Sequence, residues 1–506
     1  MKRNKLWISF IFIIFLFLLT ACNKDASKEN IVKDVLVVSQ PSDPKSLDTQ
    51  ASNDTPSSRI TSQIYDRLIE QDENMKIQAG LAESWEQTDP LTFVFHLRKG
   101  VKFHNGDELK ASDVKFTIER AQKSPLVSEL VENIVKVETP DDFTVIIKTS
   151  EPYVPILNNL SHTALSILNE KVVSEKKEEY GQYPIGTGPF QFVEWISSDK
   201  VVLEANEEYF KGAPKIKKII FRNIPEQTNR ILGLETGEID LVYDIEGMDK
   251  DDVAENEKLN FIEAPGLTTV YLGFNLKKDI FKNEKVRKAI AYAIDLDSII
   301  NTVYAGGATK ADSIIGPKVV TYSSGKTYEY NPEKAKELLK EAGYPNGFKT
   351  SIWINNNPVR RDIAVIFQDQ LKQIGIDVNV ETLEWGAYLD RTAMGEHDMY
   401  ILGCVSVTGD PDYGINLLVN SKMHGGPGNR SFYVNKKVDQ LLQEGKSEMD
   451  FEKRNAIYKE IQDILQEELP MLYICYPNQN AAMNKNLKGF VLKPSGHHGL
   501  YHIYFE

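Results

Sequence analysis

The amino-acid sequence predicts an α/β protein of two lobes, the first a mixed α+β body and the second built from alternating strands and helices. Three observations carry that prediction. The chain has 506 residues, more than one hydrophobic core usually supports, so two or more lobes are expected. Its first half is crowded with short alternating apolar runs, the mark of half-buried strands. From residue 351 to 403, strand-like and helix-like patterns take turns, which predicts parallel strands joined by right-handed crossovers.

At the N-terminus, Lys2, Arg3 and Lys5 precede an almost unbroken apolar run from Leu6 to Leu19, which leads into Thr20-Ala21-Cys22. This pattern is a signal peptide over residues 1–21. The run falls short of the roughly 20 apolar residues that span a bilayer core. Leu19-Thr20-Ala21-Cys22 resembles the lipobox of bacterial lipoproteins, which implies lipid attachment at Cys22. The alternative is an ordinary secretory signal with an incidental cysteine. Two or three acyl chains, at about 0.8 kcal/mol per buried CH₂, hold a soluble domain at a membrane surface. Residues 22–30, charged and small, then read as a tether.

In the first half, Phe93 to Leu97, Phe143 to Ile147 and Ile216 to Phe221 read as strands. Turn signals separate them at Asn105-Gly106, Pro140-Asp141 and Gly186-Thr187-Gly188-Pro189. Helical patterns lie near Ser57 to Ile69 and Glu226 to Thr236. In the middle, Asn331-Pro332 caps and starts a helix with Ala335, Leu338, Leu339 and Ala342 on one face, and Gly343 stops it. Strand Ser351 to Ile354 follows, then a helix carrying Ile363, Ile366, Phe367 and Leu371 that ends at Gly375. Strand Ile376 to Thr382, a helix around Tyr388 and strand Met399 to Gly403 complete the alternation. A last amphipathic helix, Phe451 to Glu468, is closed by Pro470 and leads to strand Met471 to Tyr476. The end segment, residues 478–506, has no helical pattern. If it returns to the first lobe, the chain crosses between lobes twice and makes a hinge.

Ligands of parallel sheets bind beyond the carboxyl ends of the strands. Strand Met399 to Gly403 ends in Cys404-Val405-Ser406-Val407-Thr408-Gly409-Asp410-Pro411-Asp412, the leading site candidate, with Cys404, Ser406 and Thr408 on it. Asp410 and Asp412 are candidate partners of a ligand ammonium, although Gly-Asp-Pro-Asp also favours a turn by itself. Asn357, Arg360 and Arg361 open the preceding helix, where a guanidinium fork matches a ligand carboxylate; a solvated helix start is the bland reading. Trp385 and Tyr388 offer flat apolar walls, or simply core.

The net charge of −14 argues against nucleic acid as a partner. Cys404 and Cys475 sit in apolar surroundings and are expected as free thiols, with no CxxC pattern. His497, His498 and His502 cluster near the C-terminus, but no metal or other cofactor is expected. Ser324-Gly325-Lys326-Thr327 imitates a phosphate loop, yet Val320 stands where the leading glycine is required.

Several longer blocks carry a more specific signal. They are Ala82-Glu83-Ser84-Trp85-Glu86, the run from Phe93 to Asp107 containing Arg98-Lys99-Gly100-Val101-Lys102-Phe103-His104-Asn105-Gly106, and Ala111-Ser112-Asp113-Val114. Pro184 to Phe190, Val286 to Asp295, Glu384 to Leu389 and Gly395 to Asp398 join them. Together they resemble the bacterial extracellular solute-binding proteins of family 5, the peptide- and nickel-type substrate-binding lipoproteins of ABC importers. Within that family they look most like the dipeptide-binding and glutathione-binding branch. The resemblance implies a periplasmic-binding-protein-like fold of the large peptide-binder type. Its parts would be lobe I over 31–265 with an inserted subdomain, lobe II over 266–477, and a return of 478–506 to lobe I.

It further implies capture of a short peptide, delivery to permease subunits with their ATPases, anchoring outside the cytoplasmic membrane, a monomer and no catalysis. The resemblance places Ile354 and Val407 where dipeptide binders use an arginine and an aspartate on the ligand's ends. Both charged anchors are therefore missing, and a tripeptide such as glutathione or a longer peptide fits better than a strict dipeptide. The same fold with a nickel chelate, haem or an oligosaccharide is the nearer alternative. A secreted hydrolase is the remote one, since no Gly-x-Ser-x-Gly or His-Glu-x-x-His motif is present.

Overall fold

One strand, Met471–Asn484, organises the molecule. In this computed structural model, residues 33–245, 247 and 249–506 are described; the expected signal peptide, Cys22 and the tether lie outside them. The first half of the strand pairs antiparallel with Thr268–Phe274 and Ala308–Lys310. Its second half pairs antiparallel with Leu241–Tyr243 on one side and Leu259–Pro265 on the other. The main chain therefore passes between the lobes at two adjacent points, around Gly266 and around Pro477.

Sequence periodicity alone ends that strand at Tyr476, because Pro477 has no N–H to give a ladder. In the structure the strand runs eight residues further. Pro477 sits opposite Ala308 where the ladder changes partners from one lobe to the other, so its missing donor costs little there.

On the first-lobe side, Val35–Gln40 lies parallel to Lys218–Asn223 and to Leu241–Tyr243. Lys200–Ala205 and Phe190–Ile196 extend the sheet antiparallel. Between Gln40 and Phe190 the chain makes a separate four-stranded antiparallel sheet, Ala82–Asp89, Thr92–Leu97, Thr144–Thr149 and Ile134–Asp141. Phe93, Phe95, Val145 and Ile147 alternate inward there and pack on Val114 and Ile118 of helix Ala111–Ala121. This is the mixed α+β first lobe with its inserted body.

The second lobe is the alternating one. Phe348–Asn355 is parallel to Ile376–Leu383 and to Met399–Val405, and Thr268–Phe274 closes the row antiparallel to Met399–Val405. Helix Pro358–Lys372 buries Val359, Ile363, Ala364, Phe367 and Leu371 on one face. Each large side chain of that stripe contributes about 1.5–3 kcal/mol by leaving water. The burial fixes the helix's rotation and leaves Arg360 and Arg361 on the open side.

Candidate functional site

Strands Phe348–Asn355 and Met399–Val405 both point their carboxyl ends at the first lobe, and the space beyond them is a cavity of about 440 Å³. The first lobe supplies Thr55, Arg59 and Asp244 to its wall, the crossing supplies Thr268 and Gln479, and the second lobe supplies Asn355 to Asp362, Trp385 and Val405. A second chamber of about 100 Å³ shares Thr55, Trp385, Gly403 and Val405 with the first. A third, of about 30 Å³, shares His162, Val407 and His497 with the second. The empty space is a string of chambers between the lobes, largest at the crossing.

Local chemistry sets the wall of the main chamber. The Asn357 side chain caps helix Pro358–Lys372 by accepting from the Arg360 N–H at 2.8 Å. Arg360 then reaches back to Asn355 Oδ1 at 2.6 Å, with its guanidinium 5.8 Å from the Trp385 ring centre. Arg361 lies open to solvent, 3.9 Å from Asp362. Across the chamber, Arg59 forks onto Asp244 at 2.7 and 3.0 Å and donates to the Gly496 carbonyl at 3.1 Å. Trp385 walls both larger chambers. Its neighbour Tyr388 does not: it is fully buried, with its hydroxyl donating to the Ile401 carbonyl at 2.8 Å.

The loop from Cys404 to Asp412 requires a correction. Asp410 lines none of these chambers. Its carboxylate caps helix Pro411–Val419 through the Asp412 N–H and takes a two-armed bond from Arg454 at 2.9 and 2.7 Å. Both side chains are all but removed from water, at 7% and 5% exposure. A buried fork of that geometry engages Asp410 with Arg454 rather than with the chambers. Asp412 is buried too, and burial pushes its carboxyl up to about 6.

Thr408 and Ser406 serve the loop itself. The Thr408 carbonyl accepts from Gln71 at 2.8 Å and from Asn158 at 2.9 Å, both first-lobe residues. Ser406 donates its N–H to the Leu267 carbonyl at 3.0 Å. Cys404 lines the second chamber with its thiol pushed up to about 12 by burial, and no disulfide joins it to Cys475. Ile354 is buried in the core, while Val407 separates the second and third chambers.

His497 lines the smaller chambers, whereas His498 accepts from the Lys493 N–H and packs on Tyr243. No group of three or more potential metal ligands exists among the described residues.

Among the wall residues that sequence reading does not single out are Arg59, His162 and Arg430. Arg59 is a basic residue inside a helix, Thr55–Ile64, that buries most of its positions, and that mismatch was a usable signal. His162 and Arg430 sit in loops without periodicity, where nothing local marks them. Arg430 is only 8% exposed, lines the second chamber, and gives its Nε–H to Thr392 Oγ1 at 3.2 Å.

The pattern described as bacterial extracellular solute-binding proteins, family 5 middle, matches residues 76–425. The chain belongs to this family. Among its relatives, the glutathione-binding protein GsiB of Salmonella choleraesuis is 32% identical over 474 residues, covering 91% of this chain and 92% of that protein. The periplasmic binding protein DppA of Helicobacter pylori, solved with the peptide STSA, is 33% identical with a TM-score of 0.88, covering 94% of this chain and 98% of that one. The dipeptide-binding protein of a Pseudoalteromonas species, solved with Met-Leu, is 28% identical with a TM-score of 0.90, covering 93% and 100%. The two-lobe architecture is thus that of the periplasmic peptide-binding proteins.

Proposed function

We propose that this protein captures short peptides outside the cytoplasmic membrane and hands them, chemically unchanged, to the permease subunits of an ABC importer powered by their ATPases. One observation carries the reading: the main cavity is enclosed by both lobes at once, so a ligand there is held only while the lobes are together. At about 440 Å³ it falls within the range of small-ligand sites, about 300–1,000 Å³. Its wall mixes Asn355, Asn357, Arg360 and Gln479 with the flat face of Trp385. That mixture suits the polar backbone of a di- or tripeptide or of glutathione. Relatives named for those ligands support the same cargo.

In this reading residues 31–265 and 266–477 move as lobes about the Gly266 and Pro477 crossings, and 478–506 stays with the first lobe. Cys22 carries the lipid that keeps the protein, a monomer, at the outer face of the cytoplasmic membrane or in the periplasm. Native mass spectrometry of protein purified without refolding tests the cargo. The expected result is a retained peptide; a bound metal chelate or haem in its place overturns it. Incubation with a peptide mixture is expected to leave every peptide intact, and cleavage products would reveal an enzyme instead.

A further inference from the structure

We propose that the second chamber is an anion subsite, in which the Arg430 guanidinium takes a carboxylate of the bound peptide. This deepens the peptide reading above and rests on it. Arg430 is more than nine-tenths buried, yet among the described residues the acceptor its side chain meets is the neutral hydroxyl of Thr392. Its two terminal nitrogens meet no acceptor, and it forms no ion pair among the described residues. A guanidinium out of water without an anion is a costly arrangement, and buried charges are as a rule paired. Two other cations in the chamber walls show that rule obeyed: Arg59 has Asp244 and Arg67 has Glu70.

The rest of the chamber fits the same ligand group. Its one acidic wall residue is Asp54, whose oxygens are occupied by the Ser57 N–H at 3.0 Å, the Ser57 hydroxyl at 2.9 Å and the Ser52 hydroxyl at 2.7 Å. No hydrogen bond or ion pair joins Asp54 to Arg430 among the described residues. His162 accepts from the Ala164 N–H through Nδ1 at 3.0 Å, which places its proton on Nε2. Burial holds this imidazole far below its ordinary range, at about 3, so it is a neutral donor. Leu389, Leu402 and Leu417 complete the wall and lower the local dielectric, which strengthens a charge-assisted fork. A carboxylate arrives on a peptide in two ways, at its C-terminus or on an acidic side chain.

The test offers wild type and Arg430→Gln two randomised tripeptide libraries, one of free acids and one of C-terminal amides, with retained masses read by native mass spectrometry. Selected members are then titrated calorimetrically. Wild type is expected to retain carboxylate-bearing peptides, and Arg430→Gln to lose at least about thirtyfold in affinity for them. Selection of free acids over all amides identifies the C-terminus as the source. Retention of amides only when they carry Asp or Glu identifies the side chain.

Arg430→Lys is expected to recover part of the lost affinity. The ligand-free melting temperature of Arg430→Gln is expected not to fall, since no native ion pair is broken. Equal retention of acids and neutral amides, unchanged in Arg430→Gln, overturns the subsite. So do parallel losses for acids and neutral amides, which a merely structural arginine would give. If wild type retains no member of either library, the peptide reading itself fails, a separate result.

Discussion

The lobes meet in two places that are built differently. At the crossing they are joined by main chain: two peptide segments and the ladders of Met471–Asn484 run through both bodies. Along the opposite seam they are joined by side chains. Gln71 and Asn158 reach the Thr408 carbonyl, Lys446 pairs with Glu132, and the Val154 N–H meets the Lys446 carbonyl at 3.0 Å. Tyr413 and Leu417 of the second lobe pack into the apolar cluster of the inserted first-lobe body. A ladder does not open without unfolding, whereas separable contacts break one set at a time. The crossing therefore sets where the lobes stay attached, and the seam sets how firmly they close.

The comparison breaks most visibly at the crossing. Ala482 is flanked by Val242 on one side and Phe261 on the other, so Ala482→Pro puts a residue without a donor into a fully paired strand. Loss of cooperatively folded protein is expected by circular dichroism and limited proteolysis. Next in size is Arg454→Met, which strands Asp410 as an uncompensated buried charge. A loss of about 3–5 kcal/mol in denaturant unfolding is expected, with the Thr408 end of the seam loosened.

Tyr413→Ala acts on the seam and, since Tyr413 also lines the second chamber, is read there by scattering as well as by binding. Removing its ring from the first-lobe cluster is expected to cost about 2 kcal/mol of closure, read as some thirtyfold weaker peptide binding and a larger radius in scattering. An equal loss in the stability of the isolated fold, with binding untouched, would show that the seam does not govern closure.

The smallest effect is a pH dependence. Glu129, facing Glu132, Lys446 and Asp412, is pushed by burial from the ordinary 4.5 to about 8. Burial pulls the Lys446 ammonium down, but Asp412 and Glu132 outweigh it and leave it raised. A carboxyl raised in the native state contributes its stability below the ordinary carboxylate range, and loses it as pH rises toward about 8. Buried histidines held below their ordinary range, such as His104 and His162, act in the opposite sense up to about pH 6.5, so the contribution of Glu129 is read by difference: the melting temperature of wild type relative to Glu129→Gln is expected to fall from pH 5 to pH 8.

Much of the fold was legible because periodicity is a local property. Helix Phe451–Glu468 has the bounds its pattern predicts, and the three parallel strands of the second lobe follow from their spacing. The crossing strand was cut short because Pro477 reads as a stop unless its partners are known. The site was less legible. Asn357, Arg360, Arg361, Trp385 and Cys404 line the chambers, whereas Asp410, Asp412 and Tyr388 do not. Carboxylates and rings look alike in sequence whether they face a ligand or a core partner.

The sequence by itself determined the element types, the alternation that makes the second lobe α/β, and the motif blocks that mark the family, since each depends on residues close together in the chain. Only the tertiary structure decided which charges meet. Asp410 finds Arg454 across 44 positions, while Arg430 lines the second chamber with no ion-pair partner among the described residues. The reason is that a charge's partner is fixed by how distant segments pack, and nothing in a residue's neighbourhood along the chain encodes that distance.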